Sequence, residues 1–111
     1  MNKFSFYQEQ MRQQIVNHPW RFLAKELDER NISQVKFSQL IDITEAEVSN
    51  IIHGKKNITP RIAYRIEAAL WTPASIWLKR QNDFDVYKMH QDENENKKFL
   101  QIREKVLEFA Y

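Results

Sequence analysis

The run from Ser33 to Lys56, SQVKFSQLIDITEAEVSNIIHGKK, constrains the fold more than any other part of the chain. It reads as two short helices joined by a tight turn and closed by a basic stop. The first half sets Val35, Phe37 and Ile41 around Ser38, and the second sets Val48, Ile51 and Ile52 on one side of a helix. Two helices that cross steeply need a small side chain at the crossing, and Ser38 supplies it.

Each helical residue turns the side chain by about 100°. With Glu45 at zero, Val48, Ile51 and Ile52 fall at roughly 300°, 240° and 340°, a single buried stripe. The opposite face holds Ala46, Ser49, Asn50 and His53. Those groups are small or polar and carry no fixed negative charge, so they suit entry into a major groove. The run therefore has the layout of a DNA-binding helix-turn-helix.

The rest of the sequence predicts helices throughout. One glycine, three prolines and little period-2 alternation argue against a sheet. A first helix is expected from about Ser5 to Ile15, with Phe4, Tyr7, Met11 and Ile15 on one stripe. His18-Pro19 opens the next, with Phe22, Leu23 and Leu27 inward and Asn31 as a left-handed stop. After the motif, Thr59-Pro60 and Thr72-Pro73 each offer an N-cap with proline at the first helical position. The helix after Thr59 should bury Ile62, Ala63, Ile66, Ala69 and Leu70, and the one after Thr72 offers Ile76, Trp77, Phe84 and Tyr87. A polar stretch, His90 to Asn96, then precedes a last helix carrying Phe99, Ile102, Val106 and Phe109. That stripe must bury against something, either this chain or a partner.

At 111 residues the chain is read as one domain. It has no cysteine, which removes disulfides and thiolate metal sites and fits a reducing cytoplasm. No apolar run reaches the length of a membrane span, and Met1 to Phe6 lacks the apolar stretch of a secretory signal. The net charge of +2 says little about nucleic acid, but its distribution says more: Lys55, Lys56, Arg61, Arg65, Lys79 and Arg80 follow the second motif helix, and Asp83, Asp85, Asp92, Glu93 and Glu95 come later. His18, His53 and His90 show no ligand spacing, and there is no glycine-rich phosphate loop. The expectation is a protein without catalytic, metal or cofactor sites.

From His18-Pro19 to about Tyr87 the sequence resembles the HigA/VapI-type helix-turn-helix antitoxins of the Xre, phage-repressor-like group. The landmarks are His18-Pro19, Ser33-Gln34, Ser49 with Ile51-Ile52, Gly54-Lys55, Ile58-Thr59-Pro60, and Trp77-Leu78 followed by Gln81 and Phe84. The resemblance implies an all-α fold with a five-helix lambda-repressor-like core at 18–88, an N-terminal helical extension at 1–17 and a C-terminal helix at 91–111. It implies a homodimer on a palindromic operator, in many relatives that of the protein's own operon, and as partner a HigB-type ribonuclease toxin, which many relatives bind while others stand alone as repressors. The chain departs from the family at the turn, where Asp42 replaces a glycine, and after the fourth core helix, where Trp71 does.

Family roles carried across by position give the candidate DNA contacts. Ser33 and Gln34 open the first motif helix, where amides and side chains can grip a phosphate; the competing role for Ser33 is an N-cap only. Ala46 suits a thymine methyl, Asn50 suits adenine N6 and N7, Ser49 suits a base or the backbone, and His53 completes the face. Lys55 and Lys56 supply phosphate charge, while Thr44 caps and can also donate. Glu45 and Glu47 look wrong for DNA. Thr44-x-x-Glu47 is a capping box, however, and Glu45 favours the positive helix end or accepts from cytosine N4. The alternative function is a protein-interaction module on the same scaffold with little DNA affinity.

Overall fold

The computed structural model describes residues 19–110. The helix expected over Ser5–Ile15 and the opening residue His18 lie outside that range. Six helices follow in order: α1 (Pro19–Glu29), α2 (Gln34–Ile41), α3 (Glu45–Ile52), α4 (Pro60–Leu70), α5 (Ala74–Gln91) and α6 (Glu93–Ala110). No strand occurs among the described residues.

The helix boundaries follow from local chemistry. Ser33, Thr44 and Thr59 each sit in extended backbone and accept a hydrogen bond from the amide three residues on, at 3.0, 3.0 and 3.3 Å. Pro60 starts α4, where its missing N–H costs nothing. Asn31, Asp42 and Trp71 end helices or turns in the left-handed region, at φ 55°, 56° and 71°. Asn and Asp tolerate that conformation because their short polar side chains bond locally. Tryptophan has no such compensation, and Trp71 is also 86% exposed.

One buried cluster joins α1 to α5: Leu23 and Leu27, Phe37 and Ile41, Val48 and Ile51, Ile58, then Ile62, Ala63, Ile66 and Leu70, and Trp77. Phe22 and Ile52 pack at its edge. Ser38 is buried at the α2–α3 crossing, and its hydroxyl donates to the Val35 carbonyl at 2.6 Å, so the small polar side chain is satisfied where it is needed. Gln81 is the other buried polar residue. Its Oε1 accepts from the Ile58 amide at 2.9 Å, and its Nε2 donates to Asn57 and Asp85. That bond anchors the loop between α3 and α4 to α5.

Three expectations need correction. Val35 and Ile76 are exposed, because α2 turns only its Phe37–Ser38–Ile41 side to the core and α5 turns Trp77 and Gln81. Thr72 is not the N-cap of α5. The helix begins one residue later, after Pro73, whose side chain makes no capping bond. Glu67, reaching over from α4, accepts from the Ala74 amide at 2.8 Å, while the Thr72 hydroxyl donates to Glu26. The polar stretch His90–Asn96 is helical except at Asp92, whose carboxylate accepts from the Asn94 and Glu95 amides and starts α6 without a loop. Among the described residues nothing covers the stripe Phe99, Ile102, Val106 and Phe109: α6 adds no residue to the buried cluster and packs on α5, and the Asn96 side chain donates to the His90 carbonyl.

Candidate nucleic-acid interface

The α2–α3 pair is held rigidly on the core. Phe37 and Ile41 from one helix meet Val48 and Ile51 from the other. Arg65 of α4 donates to the Ile41 and Asp42 carbonyls at 3.2 and 2.8 Å, which clamps the turn between them. Arg65 is thus a structural residue rather than free surface charge, a role the sequence does not announce.

With its back fixed, α3 presents Glu45, Ala46, Asn50 and His53 to solvent, with Ser49 half-buried among them. Four of the expected contacts, Ala46, Ser49, Asn50 and His53, therefore share one face. Ser33 and Gln34 are exposed at the start of α2, where a cavity of about 230 Å³ separates them from Ile52. The Ser33 oxygen is engaged as an N-cap, which leaves its hydroxyl proton available. Thr44 is exposed and caps α3 in the same way.

His53 carries an internal constraint. Its Nδ1 lies 2.7 Å from the Ser49 carbonyl and 3.3 Å from the Ser49 hydroxyl. A carbonyl can only accept, so Nδ1 bears the proton and the neutral ring keeps its lone pair on Nε2. In its neutral form His53 therefore offers Nε2 as an acceptor, which suits an exocyclic amino group of cytosine or adenine.

The charges are distributed differently from the sequence expectation. Glu47 fulfils half of its capping box: its amide donates to Thr44, but its carboxylate turns to Lys56 at 3.3 Å and Arg61 at 3.7 Å instead of returning to the Thr44 amide. Two cations neutralise the acid beside the reading face, and both are partly committed by doing so. Lys79 pairs with Asp83. Arg80 lies 3.5 Å over the Phe22 ring and 5.3 Å from Trp77; burial pushes its guanidinium below the usual range, against the raising effect of Glu26. Lys55 is exposed without an ion pair among the described residues. So is Lys36 on α2, a cation the sequence reading passed over because nothing in its spacing separates it from an ordinary surface lysine.

This arrangement makes a testable prediction. Glu47→Gln keeps the shape but releases Lys56 and Arg61, so affinity for random duplex should rise. The slope of log K against log salt should steepen by about 0.9 for each cation that reaches a phosphate. An unchanged slope in a salt titration would mean that neither cation faces DNA.

Comparison with known proteins agrees with this geometry. Residues 23–75 match the helix-turn-helix family model. The chain is 29% identical over 70 residues to an uncharacterized HTH-type transcriptional regulator of Escherichia coli, YddM, covering 61% of this chain and 74% of the relative. The structure is similar to that of an addiction module antidote protein of a HigA family from Coxiella burnetii, at TM-score 0.68 and 26% identity, covering 76% of this chain and 90% of the other. It also shares its fold with the Pseudomonas aeruginosa antitoxin HigA, solved with the higBA promoter, at TM-score 0.67 and 21% identity over 71% and 87% of the two chains. The matched stretch includes α2 and α3, the pair that carries the exposed polar face.

Among the described residues no group of His, Cys, Asp or Glu is placed to hold a metal ion, and no helix is long and apolar enough to cross a membrane.

Proposed function

We propose that the chain is a sequence-specific, double-stranded-DNA-binding repressor, the autoregulatory antitoxin of a HigBA-like toxin pair. It acts in the cytoplasm as a dimer on a palindromic operator. The observation that carries this reading is the polar face of α3, where Ala46, Ser49, Asn50 and His53 stand together on a helix whose opposite side is locked into the core. Likeness to a regulator and to a HigA-family antidote protein supports the operator and toxin-partner roles.

In this reading α3 lies in the major groove. Asn50 supplies a bidentate donor–acceptor pair for adenine, Ala46 offers a methyl contact to thymine, and His53 Nε2 accepts from a base amino group. Ser33, Gln34 and Thr44 grip the flanking backbone, and Lys55 adds sequence-independent charge, with Lys56 sharing its charge with Glu47. Glu45, exposed in the first turn of α3, favours the positive helix end and is free to accept from cytosine N4.

Mobility-shift titrations with the protein's own upstream DNA and with random duplex, each at two salt concentrations, test the reading. Asn50→Ala should cost about 1–3 kcal/mol on the operator and little on random DNA. Lys55→Ala should weaken both alike and lower the salt slope by about one. Equal affinity of the unmodified protein for both duplexes would replace this reading with that of a protein-interaction module.

A further inference from the structure

His53 closes α3 and belongs to its exposed polar face, yet one ring nitrogen is already committed. Nδ1 lies 2.7 Å from the Ser49 carbonyl and 3.3 Å from the Ser49 hydroxyl, and the His53 backbone amide donates to the same carbonyl at 3.0 Å. A carbonyl oxygen has two lone pairs, and His53 takes both. No bond among the described residues engages Nε2.

That geometry limits what a proton can change. Nδ1 carries hydrogen in the neutral ring, because the carbonyl facing it can only accept, and it carries hydrogen in the cation as well. The anchor to Ser49 therefore survives titration, and the ring keeps its place. Only Nε2 changes, from acceptor to donor. Histidine is the side chain that ordinarily gains or loses its charge between about pH 5 and 8, so both forms are accessible under mild conditions.

The charges around the ring do not hold the proton in either state. The elements packed on α3 are α1 and α2. Asp28 of α1 lines the cavity beside Ile52, and Arg21 stands two turns earlier on the same side of that helix. Lys36 is exposed in the first turn of α2, and Lys55 and Lys56 follow α3 itself. On α3, Glu45 lies two turns away at the opposite end, and Glu47 is taken by Lys56 and Arg61. No carboxylate among the described residues pairs with the imidazole, so its proton exchanges directly with solvent.

Base edges distinguish the two forms. In the major groove cytosine offers only its N4 amino donor, guanine offers only the acceptors O6 and N7, and adenine offers one group of each kind. An acceptor at Nε2 favours cytosine over guanine, and a donor at the same point reverses that order. We propose that His53 is a proton-switched specificity determinant, selecting cytosine at one operator position when neutral and guanine there when cationic. This rests on the repressor reading above and names what one residue of that face selects. Because Ser49 fixes the ring in both forms, the switch needs no movement of α3.

The test is selection by the full chain from a library of random-sequence duplex DNA at about pH 5.5 and about pH 8, followed by sequencing. The two enriched motifs should agree except at one base pair per half-site, where the cytosine-to-guanine ratio inverts with a total change of about tenfold or more. In His53→Gln, whose amide donates and accepts at either pH, the motif should be the same at both. Identical motifs from the unmodified protein, or an inversion that persists in His53→Gln, would overturn the proposal while leaving the repressor reading intact. So would a rise in affinity at low pH shared equally by all sequences, since added charge alone explains that. Absence of any enriched motif at either pH would overturn the repressor reading and the switch with it. A second arm needs neither DNA nor a variant: long-range ¹H–¹⁵N correlation of the imidazole in the free protein at about pH 8 should show the proton on Nδ1, and a proton on Nε2 would overturn the proposal by itself.

Discussion

Trp77→Ala should lower unfolding stability by about 3–5 kcal/mol, a large share of the ~5–15 kcal/mol typical of a domain. Trp77 is fully buried and is the largest side chain of the core, so its removal leaves a void that α1, α4 and α5 cannot close without losing one another. It also removes one wall of the site that holds Arg80 against Phe22. Urea titration followed by far-UV circular dichroism should show the midpoint falling by about 2 M or more, given a slope of about 1–1.5 kcal/mol per molar for a domain of this size. Trp77→Phe separates packing from polarity. The indole Nε1 is buried without a hydrogen-bond partner, so the benzyl ring loses volume but no bond, and the cost should be no more than about 1.5 kcal/mol. If Trp77→Ala costs less than about 1 kcal/mol, the indole is not the keystone the packing indicates.

The second large effect is expected at Gly54, where two constraints coincide. Its φ of +72° lies in the left-handed region, which costs a side chain about 1–2 kcal/mol. An added Cβ would also stand 3.1 Å from Cε3 and Cζ3 of Trp20. That ring is rigid and braced edge-on against Phe84, so it has to move as a body. Gly54→Ala should therefore cost about 2–3 kcal/mol, more than the backbone alone explains. In a Trp20→Leu background the same substitution should cost only the backbone share, and a double-mutant cycle by urea denaturation measures the difference. Additive costs would show that the ring does not restrict this position. The substitution also reaches the interface, since the backbone amides of Lys55 and Lys56, immediately after this glycine, close α3 by donating to the Asn50 carbonyl.

The motif was legible because its chemistry is local. The caps at Thr44 and Thr59, the left-handed Asn31 and Asp42, and the buried stripes of α3 and α4 depend on residues within one or two turns of each other. The misreadings came from contacts that cross the fold. Thr72 looks like a cap until Glu67, on the preceding helix, takes the Ala74 amide. Glu47 looks like the second arm of a capping box until Arg61 and Lys56 approach it from the other side. The cluster of cations after α3 looks like a phosphate patch, yet Arg65 holds the turn, Arg80 stacks in the core edge, and Lys55 alone in that cluster has no ion pair, ring contact or side-chain hydrogen bond among the described residues. Asp92 hid a helix start, because a run of polar residues reads as a loop while one carboxylate capping two amides suffices to begin a helix.

That one-residue corner gives α6 the mechanics of a lever. The helix is about 27 Å long and, among the described residues, packs chiefly on α5, so a rotation of about 10° at Asp92 would carry Phe109 through about 5 Å. Among the bonds resisting such a rotation are the two amides on the Asp92 carboxylate, the Asn96 side chain on the His90 carbonyl, and the backbone bonds from the Asp92 amide to the Met89 carbonyl and from the Asn96 amide to the Asp92 carbonyl. Each is worth about 0.5–1.5 kcal/mol, a small stiffness beside the core that anchors the other end. The direction of α6 is thus set less by the five helices it grows from than by whatever lies along its length, and the body that presents α3 can keep its shape while the arm behind it swings.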